Sequence, residues 1–260
     1  MNELVTPKAM RTSAASAAPA APQALRRRRD AGTVRIGNRD IVGLTWCGEQ
    51  GTMRLDQLAK LFSQLDRRTV SPDAARKTIG RWLDNGLAQG QVLLAGEAPY
   101  YWPTVLGMRT VGLNFPAVPP AIVTLAHSHF VNEVRLFAQR NYPDATWRSE
   151  RAIKSVLPAR QRGAHVPHLP DGELHLQGGA VVAIEAERTP KTIERTRGIQ
   201  LGLLSRRYDF DRDDATPTLL TPRYAGVWYF TSPAAEGVVR AASSQLPADL
   251  ASRLRIVTGQ

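Results

Sequence analysis

Pro170-Asp171-Gly172-Glu173-Leu174, then Val181-Val182-Ala183-Ile184-Glu185-Ala186-Glu187, then Thr189-Pro190-Lys191 is the stretch whose reading decides the fold. An acid stands at the mouth of one strand and two acids end the next. A helix with a lysine in its first turn then follows. Glu185 and Glu187 are two apart, so on a strand their side chains leave the same face. Asp171 precedes Glu185 by 14 residues, which suits a hairpin that brings its carboxylate alongside. Clustered carboxylates repel one another and cost stability unless a cation sits among them. The chemistry they suit is divalent metal binding and attack by water on a phosphodiester. Asp171, Glu185 and Glu187 are therefore candidate ligands of Mg²⁺ or Mn²⁺, with Glu187 as third ligand or general base. Glu150, near the end of an earlier strand, either joins the cluster or faces solvent.

Around this stretch the pattern alternates between helix and strand. A long helix is expected over 121–140, with Ile122, Leu125, Phe130, Val134 and Phe137 buried. Strands are expected at 146–150, 171–176 and 180–187, a helix from 189 to about 208, a strand at 224–230, a short helix at 234–243 and a strand or helix at 254–257. Upstream, residues 114–120 hold Pro116, Pro119 and Pro120 and read as a linker. Before it lie three helices and a hairpin. The first would be capped by Asn38 and carry Ile41, Leu44 and Cys47 on one stripe. The second would be capped by Thr52, and the third starts at Ser71-Pro72-Asp73 and stops at Asn85-Gly86. On the third, Ala75, Ile79, Trp82 and Leu83 are expected to face inward, and Arg76, Lys77, Gly80 and Arg81 outward. Strands at 91–95 and 100–102 form the hairpin. Helix, helix, basic-faced helix, hairpin is the order of a winged helix, whose third helix enters the major groove of DNA. The other reading of that basic face is a solvated surface in a structural winged helix.

Composition points to a polyanionic partner. The chain of 260 residues has a formal net charge of +11, which favours nucleic acid or an acidic membrane surface. No apolar run approaches the ~18 residues that span a bilayer, so duplex DNA is the expected partner, with no membrane, in a cytoplasmic protein. Cys47 is the only cysteine, which rules out an intrachain disulfide and a cysteine-based zinc site. It reads as a buried small hydrophobe. Residues 1–30 are rich in Ala, Pro and Ser, end in Arg26-Arg27-Arg28-Arg29 and read as a disordered tail. That tail is either a basic arm on phosphates or a solubilising leader. The domain division expected is tail 1–30, winged helix 31–112, linker 113–120 and α/β domain 121–260. No Gly-x-Ser-x-Gly or Gly-x-x-x-x-Gly-Lys motif is present, so neither serine hydrolase nor P-loop chemistry is supported. His165, His168 and His175 invite a metal reading but sit among loop prolines rather than at helical spacing, and their role is open.

The order helix, three strands, helix, strand, with Pro170-Asp171 on the second strand and Glu185-Ala186-Glu187 on the third, resembles the PD-(D/E)XK nuclease superfamily. Joining both halves tightens the likeness. The winged helix is followed by Leu125-Ala126-His127, Val131-Asn132-Glu133-Val134-Arg135, Trp147-Arg148-Ser149-Glu150-Arg151 and Ile184-Glu185-Ala186-Glu187-Arg188 with Lys191. This looks like the replication-relaxation family of plasmid, phage and integrative-element proteins, over residues 38–230. The resemblance implies a winged helix-turn-helix joined to an αβββαβ restriction-endonuclease-like domain, an α/β (α+β) protein. It implies a role in replication, relaxation or mobilisation of a mobile element, as a homodimer or beside a relaxase or replication protein. It also implies a Mg-dependent nuclease site at Asp171, Glu185 and Glu187. The superfamily's signature ends Glu-x-Lys, whereas this chain has Glu187 there. Lys191, one turn into the next helix, could serve as a migrated replacement and stabilise charge on the phosphate. The alternative is a non-enzymatic regulator or relaxosome accessory protein. In it, Glu185 or Glu187 would pair with Arg148, Arg188 or Arg195, and the C-terminal domain would dimerise.

Overall fold

The computed structural model of the protein describes residues 36–157, 168–206 and 222–259. The expected tail, with Arg26, Arg27, Arg28 and Arg29, and the loop histidine His165 lie outside the described residues.

The first half runs α1 (Asn38–Gln50), β1 (Met53–Arg54), α2 (Leu55–Asp66), α3 (Pro72–Asp84), β2 (Ala88–Gln91), β3 (Tyr100–Pro103) and α4 (Val105–Thr110). Its strands form an antiparallel sheet in the order β1-β3-β2. The start of α3 follows from its sequence: Ser71 accepts from the Ala74 amide, Pro72 fills the first turn, and the chain leaves through Asn85 and Gly86 at φ 64°. The apolar stripes of the three helices meet in one core around Leu44, Leu58, Phe62, Ile79 and Trp82, with Met53 from β1.

Several local expectations are corrected. Leu83 is 41% exposed, and Thr78 takes the inward place. Its hydroxyl donates to the Ala74 carbonyl, so it enters the core satisfied. On α1, Ile41 faces outward and Asp40 is buried, because that carboxylate accepts from the Gly37 amide, the Trp82 indole and Arg81. Gly37, not Asn38, holds the cap position of α1. Thr52 does not cap α2; its hydroxyl donates to the Tyr101 carbonyl, and Gln57 accepts from the Arg54 amide at the helix start. The first hairpin strand lies at β2, earlier than 91–95.

α4 packs so closely under the hairpin that a Cβ on Gly107 would lie 1.9 Å from the Leu87 carbonyl oxygen. That neighbour is backbone and cannot swing aside. Gly107→Ala should therefore cost about 1–3 kcal/mol, read as a lowered melting temperature. An unchanged melting temperature would show that α4 does not sit against Leu87.

The second half runs α5 (Leu125–Asn141), β4 (Thr146–Ser149), α6 (Glu150–Ser155), β5 (Gly172–His175), β6 (Val181–Glu187), α7 (Ile193–Leu204), β7 (Gly226–Thr231), α8 (Pro233–Ser243), α9 (Ala248–Ala251) and β8 (Leu254–Thr258). The segment 254–257, open between strand and helix, is strand. The expected long helix begins as a 3-10 turn at Ile122–Thr124, which leaves Ile122 exposed. The sheet order is β4-β5-β6-β7-β8, antiparallel through β6 and parallel from β6 to β8. Strand alternation divides the residues of β6. Val182, Ile184 and Ala186 pack with Phe130, Val131 and Val134 of α5, and Ala183 packs with Leu203, Leu204 and Val239 of α7 and α8. Helices thus cover both faces, and the protein is a mixed α/β chain with two sheets. The two halves belong to one compact unit, Ile36–Gln260, joined by α2 and α5 through hydrogen bonds from Gln57 to the His129 carbonyl and to Glu133.

Candidate functional site

The register of β5 and β6 gathers the acids. Gly172 pairs with Ile184, so Asp171, one residue earlier, comes beside Glu185. Asp171 Oδ2 accepts from the Ala186 amide at 2.8 Å, which fixes its carboxylate at the end of the hairpin. The following residue must be small. A Cβ on Gly172 would lie 2.3 Å from the Trp147 ring, so Pro170-Asp171-Gly172 packs the turn under that indole. Glu185 and Glu187 leave β6 on one face, as their spacing implies, and both are buried. Glu185 lies opposite Tyr229 of β7.

Two histidines complete the cluster. His127, on α5, bonds through Nε2 to Asp171 Oδ1 at 2.9 Å. His168, in the segment before β5, bonds through Nε2 to both oxygens of Glu185 at 3.0 Å. Arg206 holds that segment by donating to the His168 carbonyl. The hydrogen bond and charge of Asp171 raise the pKa of His127. Burial works against a charged His168, but the hydrogen bond and charge of Glu185 outweigh it and raise its pKa too. Lys191 pairs with Glu187. It does not lie inside the next helix: Thr192 is the cap of α7, so Lys191 precedes it.

Glu150 opens α6 rather than ending a strand, with Ser149 as its cap. Burial first, and Asp171 second, raise its pKa. With His127 and Asp171 it lines a cleft of about 60 Å³. Glu185 is shifted well above the usual carboxylate range by burial, with Asp171 adding to the effect against the pull of His168 and Lys191. The Tyr229 hydroxyl is fully buried and has no hydrogen-bond partner. Burial and the charges of Glu185, Glu187 and Asp171 push its pKa up.

The donor set fits a hard divalent cation in its chemistry: three carboxylates and a further acid at the cleft, two of them pushed toward neutrality by burial and by the charge of Asp171. The orphaned Tyr229 hydroxyl is a second sign that the cluster is incomplete as it stands. Yet Asp171, Glu185 and Glu187 are each turned to a protein partner. Among the described residues, Asp171, Glu185, Glu187 and Glu150 do not bring three ligand atoms within 4.8 Å of one another. Gathering them round one ion requires side-chain rotation away from His127, His168 or Lys191. The arginine pairs foreseen for Glu185 and Glu187 do not form. Arg148 instead lies 3.7 Å from Glu173, and His175 bonds to Glu173 as well.

Sequence reasoning left the role of His168 open and did not bring His127 or Tyr229 to the acid cluster. His127 and His129 could be seen to face differently on a helix. That one of them reaches a strand acid 44 residues away depends on how α5 crosses the sheet, which no local spacing encodes.

On the expected DNA face, Arg76 and Lys77 are exposed, and Arg76 pairs with Asp73. Arg81 is half exposed and tied to buried Asp40 at 2.7 Å. That helix face thus offers two cations outside the buried Asp40 network, and a third that also holds α3 to α1.

No protein-family model matches the chain, nor does any curated protein or any solved structure.

Proposed function

We propose that the protein binds duplex DNA and that the Asp171, Glu185 and Glu187 cluster is a metal-dependent phosphodiester-cleaving site, in the service of replication, relaxation or mobilisation of a mobile element. The observation that carries the reading is that Asp171, one residue before the pair of Gly172 with Ile184, bonds to the Ala186 amide and so comes beside Glu185, next to a buried, unpartnered Tyr229 hydroxyl. The element orders add support. The run α1-β1-α2-α3-β2-β3 is that of a winged helix. The run α5-β4-α6-β5-β6-α7-β7 follows the αβββαβ order of the PD-(D/E)XK superfamily apart from the short α6 between the first two strands. No described helix is long and apolar enough to cross a membrane, in keeping with a cytoplasmic DNA-binding protein.

Asp171 and Glu185 would hold Mg²⁺ or Mn²⁺, with Glu187 as third ligand or base and Glu150 as a further acid at the cleft. The bound ion supplies charge stabilisation on the phosphate and a more acidic water. The remaining roles belong to side chains in place. His127 orients Asp171, and His168 does the same for Glu185. Lys191, partly exposed beside Glu187, is the cation that faces charge developing on the phosphate. The second reading, a non-enzymatic regulator or relaxosome accessory protein, is favoured by one observation: Asp171, Glu185 and Glu187 each already have an imidazole or ammonium partner within the fold. Incubating the pure protein with supercoiled plasmid and Mg²⁺ or Mn²⁺ separates the two. Metal-dependent conversion to open circles supports the nuclease; duplex binding without conversion supports the regulator.

The binding surface has its own test. Replacing Arg76 and Lys77 with Ala should reduce the slope of log affinity against log salt by ~0.9 for each phosphate the protein no longer neutralises. Arg81→Ala should act chiefly on stability, since it strips the buried Asp40 of a partner. Should the Arg76 and Lys77 variants keep both slope and affinity, α3 is not the DNA reader.

A further inference from the structure

We propose a second metal site, built by Asp56, His129 and Glu133 and selective for a late first-row divalent ion such as Zn²⁺. Each of the three offers a ligand atom, and these atoms lie within 4.8 Å of one another. Among the described residues no other trio of His, Cys, Asp or Glu does so. The geometry has a simple origin. His129 and Glu133 are four apart on α5 and share a face, and Asp56 stands in the first turn of α2 where the two helices pack.

The histidine is suited to coordination. Its Nδ1 is shielded from solvent and has no hydrogen-bond partner, a deficit that a bound cation removes. One nitrogen and two carboxylates favour a borderline ion over Ca²⁺ or Mg²⁺. Glu133 at present accepts from Gln57 and Lys60, and Arg54 lies 3.2 Å from Asp56. Lys60 is half exposed and can turn to solvent when an ion enters. The site would clasp α2 to α5, the joint between the helical half and the sheet half. It is separate from the Asp171 cluster and does not depend on the nuclease reading.

The test uses the full chain carrying Asp171→Ala and Glu185→Ala, so that the other cluster is silent. Zn²⁺ calorimetry should show one equivalent bound, and Co²⁺ should give visible absorption bands that Zn²⁺ abolishes. Adding Asp56→Asn, an exposed substitution that leaves folding intact, or His129→Gln should weaken Zn²⁺ binding at least about tenfold. Zn²⁺ should also raise the melting temperature in proportion to occupancy. Absence of Zn²⁺ binding at millimolar ion overturns the proposal. So does binding that neither substitution alters.

Discussion

Asp171→Ala and Glu185→Ala should each reduce metal-dependent nicking of supercoiled plasmid by at least roughly 100-fold, the scale on which groups that stabilise transition-state charge act. Duplex affinity should hold, because the proposed binding face of α3 lies on the other half of the chain. The same cluster should show an opposite effect on stability. Glu185 is buried beside Asp171 and its carboxyl is pushed above the usual range. A carboxyl raised in the folded state contributes least when it ionises, so its stabilising share is lost as pH rises through the folded value. Glu185→Gln keeps the shape and removes the charge. It should therefore melt above the wild type in metal-free buffer on the alkaline side of neutrality. Millimolar Mg²⁺ or Mn²⁺ should then raise the wild type and leave Glu185→Gln nearly unmoved. A metal-free Glu185→Gln that melts below the wild type, together with no metal shift in either, would mean that the cluster is a finished polar network. The regulator reading would then replace the nuclease.

How much of the structure is legible in the sequence differs by element. The acid hairpin is legible because strand alternation is local: Glu185 and Glu187 share a face at any register, and 14 residues back to Asp171 is a hairpin's length. The start of α3 is legible for the same reason, since Ser71-Pro72 is a cap in itself. What fails is whatever depends on a distant partner. Thr52 has a cap residue's chemistry, yet Tyr101 takes its hydroxyl. Asp40 looks like a surface acid and is buried, because Trp82 and Arg81 arrive from another helix to satisfy it. Lys191 reads as helical because Thr189-Pro190 resembles a cap. Thr192, two residues beyond the proline, is the residue whose side chain accepts from the Arg195 amide. The short helices α4, α6 and α9 escape sequence reading altogether, being too brief to show a period.

Glu173 gives the largest expected structural effect, although its sequence position marks it only as a strand residue. It is fully buried and accepts from Arg223 at 3.0 Å, the Tyr224 hydroxyl at 2.9 Å and His175 at 3.1 Å. Burial alone would raise its pKa; those hydrogen bonds and the Arg223 charge outweigh it and hold the carboxyl down at about 2. A depressed carboxyl contributes stability above its unfolded value, near 4.5, and loses it as pH falls through the folded value. Melting temperature should thus drop between about pH 4.5 and pH 2. Glu173→Ala should flatten that limb and cost about 3–5 kcal/mol at neutral pH, because it breaks the buried ion pair with Arg223 and takes the acceptor from the Tyr224 hydroxyl. Only Gly172 separates Glu173 from Asp171, so the loss should also loosen the hairpin that carries the candidate ligand. Nicking should then fall even though no group at the cluster has changed, and Glu173→Gln, which keeps the side-chain shape, should retain more of it than Glu173→Ala. If Glu173→Ala keeps the wild-type acid limb, the network is not what holds β5 in place, and the position of Asp171 must be set by the Ala186 amide and the Trp147 packing alone.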